Sequence, residues 1–330
     1  YHQQTVRQLM SAATTRQRAV NEQQFREAEQ RLWESAGANP TERRVDLPGE
    51  RINVRVQELG EGPPTVFLHG GPGASGAVWA YLAARLSQVR CILVDRPGTG
   101  LSDAYPIRHH AELRPHSERF LAELLDALEI DRAHVVGSSH GSYMALAAAL
   151  RHPDRFGGMV HMGCPGFIEG MKASAIDRLV LWPGMARLFS LLPASEGELK
   201  KASRRLGHGP SLDADRIPQE FFDWAIALMR HTPTMREELG LMARLGSIRG
   251  FYPSLTIRDE ELATLRSPTL LYWGTLDPYG GEEVARRLAS VMPDARLVLR
   301  EDSGHLPWFD DPAHAAATTG EFLTAVGQHT

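Results

Sequence analysis

The chain has little of several features that would by themselves define a protein class. It has two cysteines among 330 residues, Cys91 and Cys164, and no Cys-x-x-Cys or His-x-x-x-His spacing, so we expect buried free thiols and no metal site. It has no uncharged apolar run of about 18 residues, so we expect no membrane-spanning helix. Its net charge of −4 gives no electrostatic reason to expect nucleic acid or an anionic membrane as a partner.

The bulk composition is that of an ordinary globular enzyme, with 42% hydrophobic and 23% charged residues. The length allows one large domain or a core with a smaller insert. We expect a cytoplasmic protein. Because the chain begins with Tyr1 rather than Met, we also expect processing or truncation to have removed its start, and secretion stays an alternative.

Five short apolar runs each end in a reactive or flexible residue. Such runs, bounded by turn residues, are typical of strands buried on both faces of a parallel sheet. Ligands of open α/β sheets bind just outside the carboxyl ends of the strands, where the terminal residues of these runs would lie. The runs are Val66–Leu68 before His69, Cys91–Val94 before Asp95, Val135–Val136 before Gly137, Met159–Met162 before Gly163, and Leu270–Trp273 before Gly274.

Strand and helix patterns alternate from Thr65 to Gly163 and again from Pro268, which predicts a doubly wound sheet. Between these parts the apolar spacing is helical, and residues 1–36 form a polar helix pattern with a broken apolar stripe (Val6, Leu9, Met10, Val20, Phe25, Ala28 and Leu32). We therefore predict a helical extension at 1–42, a core at 43–165 and 262–330, and a helical insertion at 166–261.

The sequence Gly137-Ser138-Ser139-His140-Gly141 lies between a predicted strand and a predicted helix. This is the context of a nucleophile elbow, in which a serine occupies a strained turn and glycines avoid collisions with neighbouring segments. The helix that begins there directs its positive end at the serine oxygen. Ser139 is therefore the candidate nucleophile.

A serine nucleophile needs a base that is held by an acid. His305 follows a glycine in the loop after the strand that ends at Leu299, and Asp277 follows the strand that ends at Trp273. The chain order Ser139, Asp277, His305 is the order expected for this arrangement. Asp302 is the alternative acid, although at three residues from His305 it is better suited to shape the loop.

The glycine-rich turn His69-Gly70-Gly71-Pro72-Gly73 can leave backbone amides free at a strand end. Acyl transfer passes through an oxyanion, which such amides stabilise. We assign the two donors to the N–H groups of Gly71 and His140, and we expect His69 to brace the loop. A tight turn without a catalytic role is the alternative interpretation.

These motifs, in this order and spacing, resemble the α/β-hydrolase family over about residues 43–330, with Asp95-Arg96-Pro97-Gly98-Thr99-Gly100-Leu101-Ser102 as a further match. The resemblance implies the α/β-hydrolase fold, a mostly parallel, doubly wound sheet. It also implies that the insertion is a cap over the site. The serine argues against the family's epoxide hydrolases and haloalkane dehalogenases, which use an aspartate nucleophile.

His-Gly-Gly-Pro-Gly also resembles the proline iminopeptidase branch. That branch usually carries Gly-Gly-Ser-Trp-Gly at the elbow and Asp-Gln-Arg-Gly after the second buried strand, and this chain departs from both motifs. Such a peptidase also needs acidic cap residues to hold the substrate's amine. The candidates are Glu169, Glu196, Glu198, Glu220, Glu237 and Glu238.

The sequence thus predicts a cofactor-independent serine hydrolase that cleaves a carboxylic ester or a related small acyl substrate. The cap aromatics Trp182, Phe221 and Trp224 are the candidate substrate-binding residues, although packing between cap helices is their alternative role. An iminopeptidase-like activity and a ligand-binding receptor with low turnover are the rival functions. The sequence does not determine the oligomeric state, and a homo-oligomer is compatible with it.

Overall fold

A sheet of eight strands forms the centre of the protein, and a separate two-stranded hairpin lies outside it. The structure is a computed structural model that describes residues 21–105, 107–182 and 184–328. The strands are β1 (Thr41–Leu47), β2 (Ile52–Leu59), β3 (Pro64–Leu68), β4 (Arg90–Val94), β5 (Ala133–Gly137), β6 (Phe156–Met162), β7 (Gly246–Ser247), β8 (Gly250–Phe251), β9 (Thr269–Gly274) and β10 (Ala295–Arg300).

The sheet has the strand order β1-β2-β4-β3-β5-β6-β9-β10. Strands β4, β3, β5, β6, β9 and β10 run parallel, whereas β2 is antiparallel to β1 and to β4. Every apolar run singled out in the sequence is part of a parallel strand, so the predicted doubly wound sheet is confirmed. Because the parallel strands all end at one edge, the residues that follow them gather there.

Side chains of the central strands alternate between two core clusters, one on each face of the sheet. In β3, Val66 and Leu68 belong to one cluster, whereas Phe67 belongs to the other. The first cluster packs against α3, α4 and α12, and the second against α1, α2 and α14. Their ranges are 21–36 for α1, Ala80–Ala83 for α2, Leu113–Ala127 for α3, His140–Arg151 for α4, Glu282–Val291 for α12 and Pro312–Gly327 for α14.

The segment between β6 and β9 is helical apart from the hairpin β7–β8, as the apolar spacing predicts. We propose that it forms the cap, with the predicted bounds 166–261. Its helices are α5 (Ala175–Val180), α6 (Met185–Ser190), α7 (Glu196–Arg205), α8 (Gly209–Asp213), α9 (Gln219–His231), α10 (Thr234–Met242) and α11 (Asp259–Leu262), and α13 (Pro307–Asp310) follows later in the chain. Among the described helices, none is both long and apolar enough to cross a membrane.

Helix α1 docks on the core through an apolar face and a buried ion cluster. Phe25 and Leu32 of the predicted stripe are buried in the second core cluster, while Val6, Leu9, Met10 and Val20 lie outside the described residues. The Arg55 guanidinium, itself buried, donates to Glu29 of α1 at 3.0 Å and to Asp95 at 3.3 Å. The extension is therefore tied to the loop after β4, and β1 spans the predicted division at residue 42.

His161 of β6 is a buried polar side chain whose burial lowers the free energy of unfolding. It is fully buried, and neither of its ring nitrogens has a hydrogen-bond partner among the described residues. Burial lowers the pKa of His161 to about 3, so the ring stays neutral in the folded protein well below neutral pH. An unfolded chain protonates this histidine below about pH 6.5, and folding stability therefore falls as the pH is lowered from 6.5 toward 3.

We expect His161→Leu to stabilise the protein, because it removes two unpaired polar atoms from the core, at a gain of about 1–3 kcal/mol at pH 7. The gain should grow by up to about 1.4 kcal/mol per pH unit as the pH falls below 6.5, because the variant has no ring to protonate on unfolding. Urea unfolding at pH 7 and pH 5 measures both effects. An equal pH dependence in the two proteins would contradict this account.

Candidate active site

Ser139 stands at the turn between β5 and α4, in the backbone conformation of a nucleophile elbow. Its φ of 49° and ψ of −117° are unusual for a residue with a side chain and store strain. The turn is crowded, since a Cβ at Gly141 would lie 2.1 Å from the carbonyl oxygen of Leu68. The glycine is therefore required by the close approach of β3 to the elbow.

Asp277 and His305, from the loops after β9 and β10, lie in direct contact. His305 Nδ1 is 2.8 Å from Asp277 Oδ2, and both residues are buried. Asp277 is fixed by backbone N–H groups of Cys164, at 2.8 Å, and of Tyr279, at 2.9 Å. The carboxylate thus orients the imidazole and sets the tautomer in which Nδ1 carries the proton.

Ser139 and His305 are both close to Tyr279. Tyr279 lines the same cavity as Ser139, and the centroid of its ring is 4.6 Å from that of His305. Among the described residues, Ser139 Oγ has no hydrogen-bond partner. Hydrogen bonds between nucleophile and base are often long in ligand-free sites and shorten when substrate binds.

Two backbone amides beside Ser139 are available to bind an anion. Neither the N–H of Gly71 nor that of His140 has an acceptor within the described part of the chain. The loop after β3 passes close to the serine, because a Cβ on Gly70 would lie 3.0 Å from Ser139 Cβ. His69 braces this loop from inside, with Nδ1 2.6 Å from the Gly70 oxygen and Nε2 accepting from the Arg96 N–H at 3.2 Å.

Arg96 connects the loop, the elbow and α10 through one buried guanidinium. It donates to the carbonyl oxygens of His69, at 2.8 Å, and Gly70, at 2.9 Å, and forms an ion pair with Glu238 of α10 at 2.8 Å. Its fourth contact, at 3.1 Å, is His140 Nδ1, which must accept because a guanidinium can only donate. Burial, reinforced by the charge of Arg96, holds the pKa of the His140 imidazole well below its usual range.

A mostly apolar cavity, partly open to solvent, reaches Ser139. Helix α10 and the turn after it supply Glu238, Leu241, Met242 and Leu245, which follow the i, i+3, i+4, i+7 spacing of one helix face. This spacing can be read from the sequence and indicates which face of α10 meets the cavity. The remaining lining residues are Gly71, Pro72, Ser139, His140, Gly166, Phe167, Met171, Asp177, Phe251 and Tyr279.

The structure does not bring the predicted substrate-binding aromatics Trp182, Phe221 and Trp224 to this cavity. Trp182 is 55% exposed on the surface between α5 and α6. Trp224 is fully buried in the second core cluster, and the ring of Phe221 lies 4.5 Å from that of Phe309. The aromatic face of α9 packs against the core and not against the cavity, which corrects the expectation from sequence.

Among the described residues, no group of three or more His, Cys, Asp or Glu side chains is arranged to hold a metal ion. Cys91 and Cys164 are buried as free thiols, and burial raises the pKa of Cys91 to about 12. The candidate chemistry rests on the elbow conformation of Ser139, on the contact of His305 with Asp277 and on the backbone amides beside Ser139.

Comparison with known proteins shows the family. A model of the alpha/beta hydrolase fold family matches residues 63–312. The 2-hydroxy-6-oxononadienedioate/2-hydroxy-6-oxononatrienedioate hydrolase 2 of Pseudomonas putida is 29% identical over 262 residues, which cover 77% of this chain and 85% of that protein. A similarly named hydrolase of Escherichia coli (strain K12) is 26% identical over 275 residues, which cover 79% of this chain and 87% of that protein.

Solved structures show the same fold. A meta-cleavage product hydrolase from Pseudomonas fluorescens IP01 superposes with a TM-score of 0.69 at 24% identity, and the match covers 86% of this chain and 97% of that one. A carboxylesterase from Bacillus subtilis gives a TM-score of 0.69 at 18% identity, with 92% and 99% covered. Both hydrolase chemistries therefore occur on folds similar to this one.

We expect Gly71→Ala to destabilise the protein by about 1–3 kcal/mol, the usual cost of an added methyl group in a packed interior. The new Cβ would lie 1.8 Å from Glu238 Oε2 and 2.9 Å from Arg96 Nη2, so it would push the ion pair apart. Urea unfolding measures the change. Gly197→Ala, in an exposed helix with nothing within 4 Å of the new methyl group, is the matched control and should not destabilise.

A double-mutant cycle tests the cause of this loss. Glu238→Ala removes the colliding carboxylate, so Gly71→Ala should cost less in that background than in the wild type. If the cost of Gly71→Ala were the same in both backgrounds, the collision with Glu238 would not explain it.

Proposed function

This chain belongs to the alpha/beta hydrolase fold family, and from that premise we propose that it is a serine hydrolase acting on a carboxylic ester or a related small acyl substrate. The observation that carries the proposal is the placement of Ser139. Its hydroxyl lies on a strained elbow, at the wall of an apolar cavity that Tyr279 also lines, and the ring of Tyr279 is 4.6 Å from that of His305, which is paired with Asp277. A serine at the wall of a cavity that is open to solvent on one side is suited to attack an acyl carbon.

In the proposed reaction, Ser139 Oγ attacks the acyl carbon while its proton passes to His305 Nε2. Asp277 holds Nδ1–H and stabilises the imidazolium that forms. The N–H groups of Gly71 and His140 bind the oxyanion of the tetrahedral intermediate. His305 then protonates the departing alcohol, and water, activated by the same histidine, cleaves the acyl-enzyme to release the acid and free Ser139.

The cavity favours an uncharged acyl group. Its walls are mostly apolar, and none of the described residues that line it is a lysine or an arginine. Its charged side chains are the carboxylates of Asp177 and Glu238. Glu238 is paired with Arg96, whereas Asp177, which is buried, accepts from the Ser174 N–H at 2.8 Å. A second carboxylate on the substrate would therefore meet charge of its own sign.

The charges of this cavity do not suit the substrates after which the relatives described above are named. Those proteins are named as hydrolases of dienedioates, which carry two carboxylates. A cavity that binds such a substrate needs cationic side chains to compensate its charge, and the lining described here offers none. We therefore propose an ester or similar acyl substrate without a second acidic group, in preference to the carbon–carbon bond hydrolysis of a dienedioate.

An iminopeptidase-like activity is the second candidate, because Glu238, one of the acidic residues named as a candidate amine ligand, does line the cavity. Its ion pair with Arg96 weakens this candidate, since the charge that would hold a substrate amine is already compensated. Prolyl p-nitroanilide is the substrate that distinguishes it from the ester hydrolase.

We expect Ser139→Ala to lower kcat/KM for p-nitrophenyl butyrate by at least about 10³-fold, because it removes the nucleophile and leaves the fold. Ser138→Ala is the matched control. Its hydroxyl is buried without a partner among the described residues, so its loss should leave the rate within about twofold. Prolyl p-nitroanilide turnover above ester turnover would favour the peptidase, and saturable binding with no turnover of either would favour a receptor.

We expect p-nitrophenyl butyrate to be cleaved with a kcat/KM at least about tenfold higher than mono-p-nitrophenyl succinate, which has the same chain length and one more carboxylate. Asp177→Asn should reduce the difference in kcat/KM between the two esters, because the amide oxygen still accepts from the Ser174 N–H and the negative charge is removed. Steady-state kinetics with both esters measure this. A preference for the succinate would contradict the charge argument and return attention to dicarboxylate substrates.

A further inference from the structure

A second buried histidine–carboxylate pair lies next to the loop that carries His305. His208 Nδ1 is 2.9 Å from Asp310 Oδ2, and both side chains are almost completely buried. Asp310 ends α13, which follows the His305 loop, whereas His208 lies between α7 and α8 in the proposed cap. The pair therefore joins two parts of the protein that are far apart in sequence.

Three consecutive residues of the His305 loop donate their backbone N–H groups to this region. Two of the acceptors are the side chains of the pair, and the third is a carbonyl oxygen two residues before His208. The bonds are Gly304 N–H to Asp310 Oδ2 at 2.9 Å, His305 N–H to Leu206 O at 2.8 Å, and Leu306 N–H to His208 Nε2 at 3.2 Å.

These partners assign the tautomer of His208. Because Nε2 accepts from Leu306, the proton lies on Nδ1, which donates to the carboxylate. Ser211 donates its hydroxyl to the other carboxylate oxygen, and the distance from His208 Nδ1 to that oxygen is 3.0 Å. Burial alone would raise the pKa of Asp310, but the bonds from His208, Ser211 and Gly304 outweigh it and lower that pKa, so the group stays ionised.

The turn that contains His208 also packs between the two loops of the candidate triad. Gly207 has a φ of 92°, and a Cβ there would lie 2.4 Å from the Leu276 oxygen and 2.9 Å from Gly304 Cα. Leu276 precedes Asp277, and Gly304 precedes His305. The turn Leu206–His208 is thus in contact with the backbone on both sides of the His305–Asp277 hydrogen bond.

We propose that His208 and Asp310 are positioning residues for His305, an inference that rests on the proposed role of His305 as the base. They hold the main chain of residues 304–306 and thereby keep the imidazole on Asp277 and within reach of Ser139. Neither residue lines the cavity that reaches Ser139, so their effect acts through the loop. A displacement of a reacting group by about 1 Å can cost about 10²-fold in rate, which sets the expected size of the effect.

The test compares two substitutions of similar volume at His208. Gln can place Oε1 where Nε2 lies and accept from the Leu306 N–H, whereas Leu fills the space but accepts nothing. The readout is the rate constant for labelling of Ser139 by a fluorophosphonate, in which Ser139 Oγ displaces fluoride from phosphorus as its proton passes to His305. We expect His208→Leu to label about 10- to 100-fold more slowly than wild type. His208→Gln should stay within about threefold.

Ester turnover by the same variants separates positioning from substrate binding. A displaced base should lower kcat for p-nitrophenyl butyrate and leave KM within about twofold, whereas a distorted cap would raise KM. Asp310→Asn, which cannot accept all three hydrogen bonds, should behave like His208→Leu. This isosteric variant keeps the proposal open to refutation if His208→Leu does not fold.

His134→Leu is the matched control for loss of a buried histidine. His134 of β5 is buried, and its Nδ1 accepts a backbone N–H from Gly158 at 2.8 Å, but it makes no contact with the site. We expect this variant to lose stability in thermal unfolding and to keep the labelling rate of wild type. Folded His208→Leu and His208→Gln with equal labelling rates, or an effect of His208→Leu confined to KM, would overturn the proposal.

The outcomes also separate this inference from the proposed function. If wild type is not labelled at Ser139 and Ser139→Ala keeps full ester turnover, the proposed function fails, and the positioning role fails with it. If wild type is labelled and His208→Leu and Asp310→Asn are labelled as fast, the serine hydrolase stands and the positioning role is overturned.

Discussion

The arrangement of the site depends on one buried charge, the guanidinium of Arg96. A cation taken out of water must be compensated by charge and hydrogen bonds, and Arg96 finds both by contacting three separate segments. It binds carbonyl oxygens of the loop after β3, a ring nitrogen of the elbow residue His140, and the Glu238 carboxylate from α10. Because a planar guanidinium bonds in fixed directions, these segments are held in one relative geometry. The two amides proposed to bind the oxyanion, those of Gly71 and His140, belong to two of these three segments.

The helical segment between β6 and β9 contributes to the site on two sides. On one side Glu238 closes the ion pair with Arg96, and on the other the turn Leu206–His208 receives the amides of the His305 loop. A segment attached in this way does more than lie over the cavity, since the Arg96 guanidinium and the backbone of the His305 loop are both bonded to it. In the scheme proposed here, α10 lines the acyl pocket and pairs with Arg96, while the turn Leu206–His208 holds the loop that carries the proposed base.

Much of the fold could be predicted from sequence, because buried parallel strands are short, apolar and followed by distinctive residues. The loops that carry Asp277 and His305 follow β9 and β10, and the structure brings these side chains into contact. Strand β1 was not predicted, because its sequence is mostly charged and only Val45 and Leu47 are buried.

The residues of the cavity wall were not predicted for a different reason. Aromatic content marked Phe221 and Trp224 of α9, but which face of a cap helix meets the cavity is decided by long-range packing. The helical spacing of the residues in α10 is a better guide to the cavity wall than the aromatic content of α9.

The second core cluster has a consequence for how the chain reaches its folded state during synthesis. It contains Phe25 and Leu32 from α1 together with Phe322 and Leu323 from α14, the first and last helices that the structure describes. A ribosome delivers α1 before α14, and domains fold as units when their parts become available. The second core cluster is therefore complete only once α14 has been synthesised. Completion of this core cluster thus depends on the last helix that the structure describes.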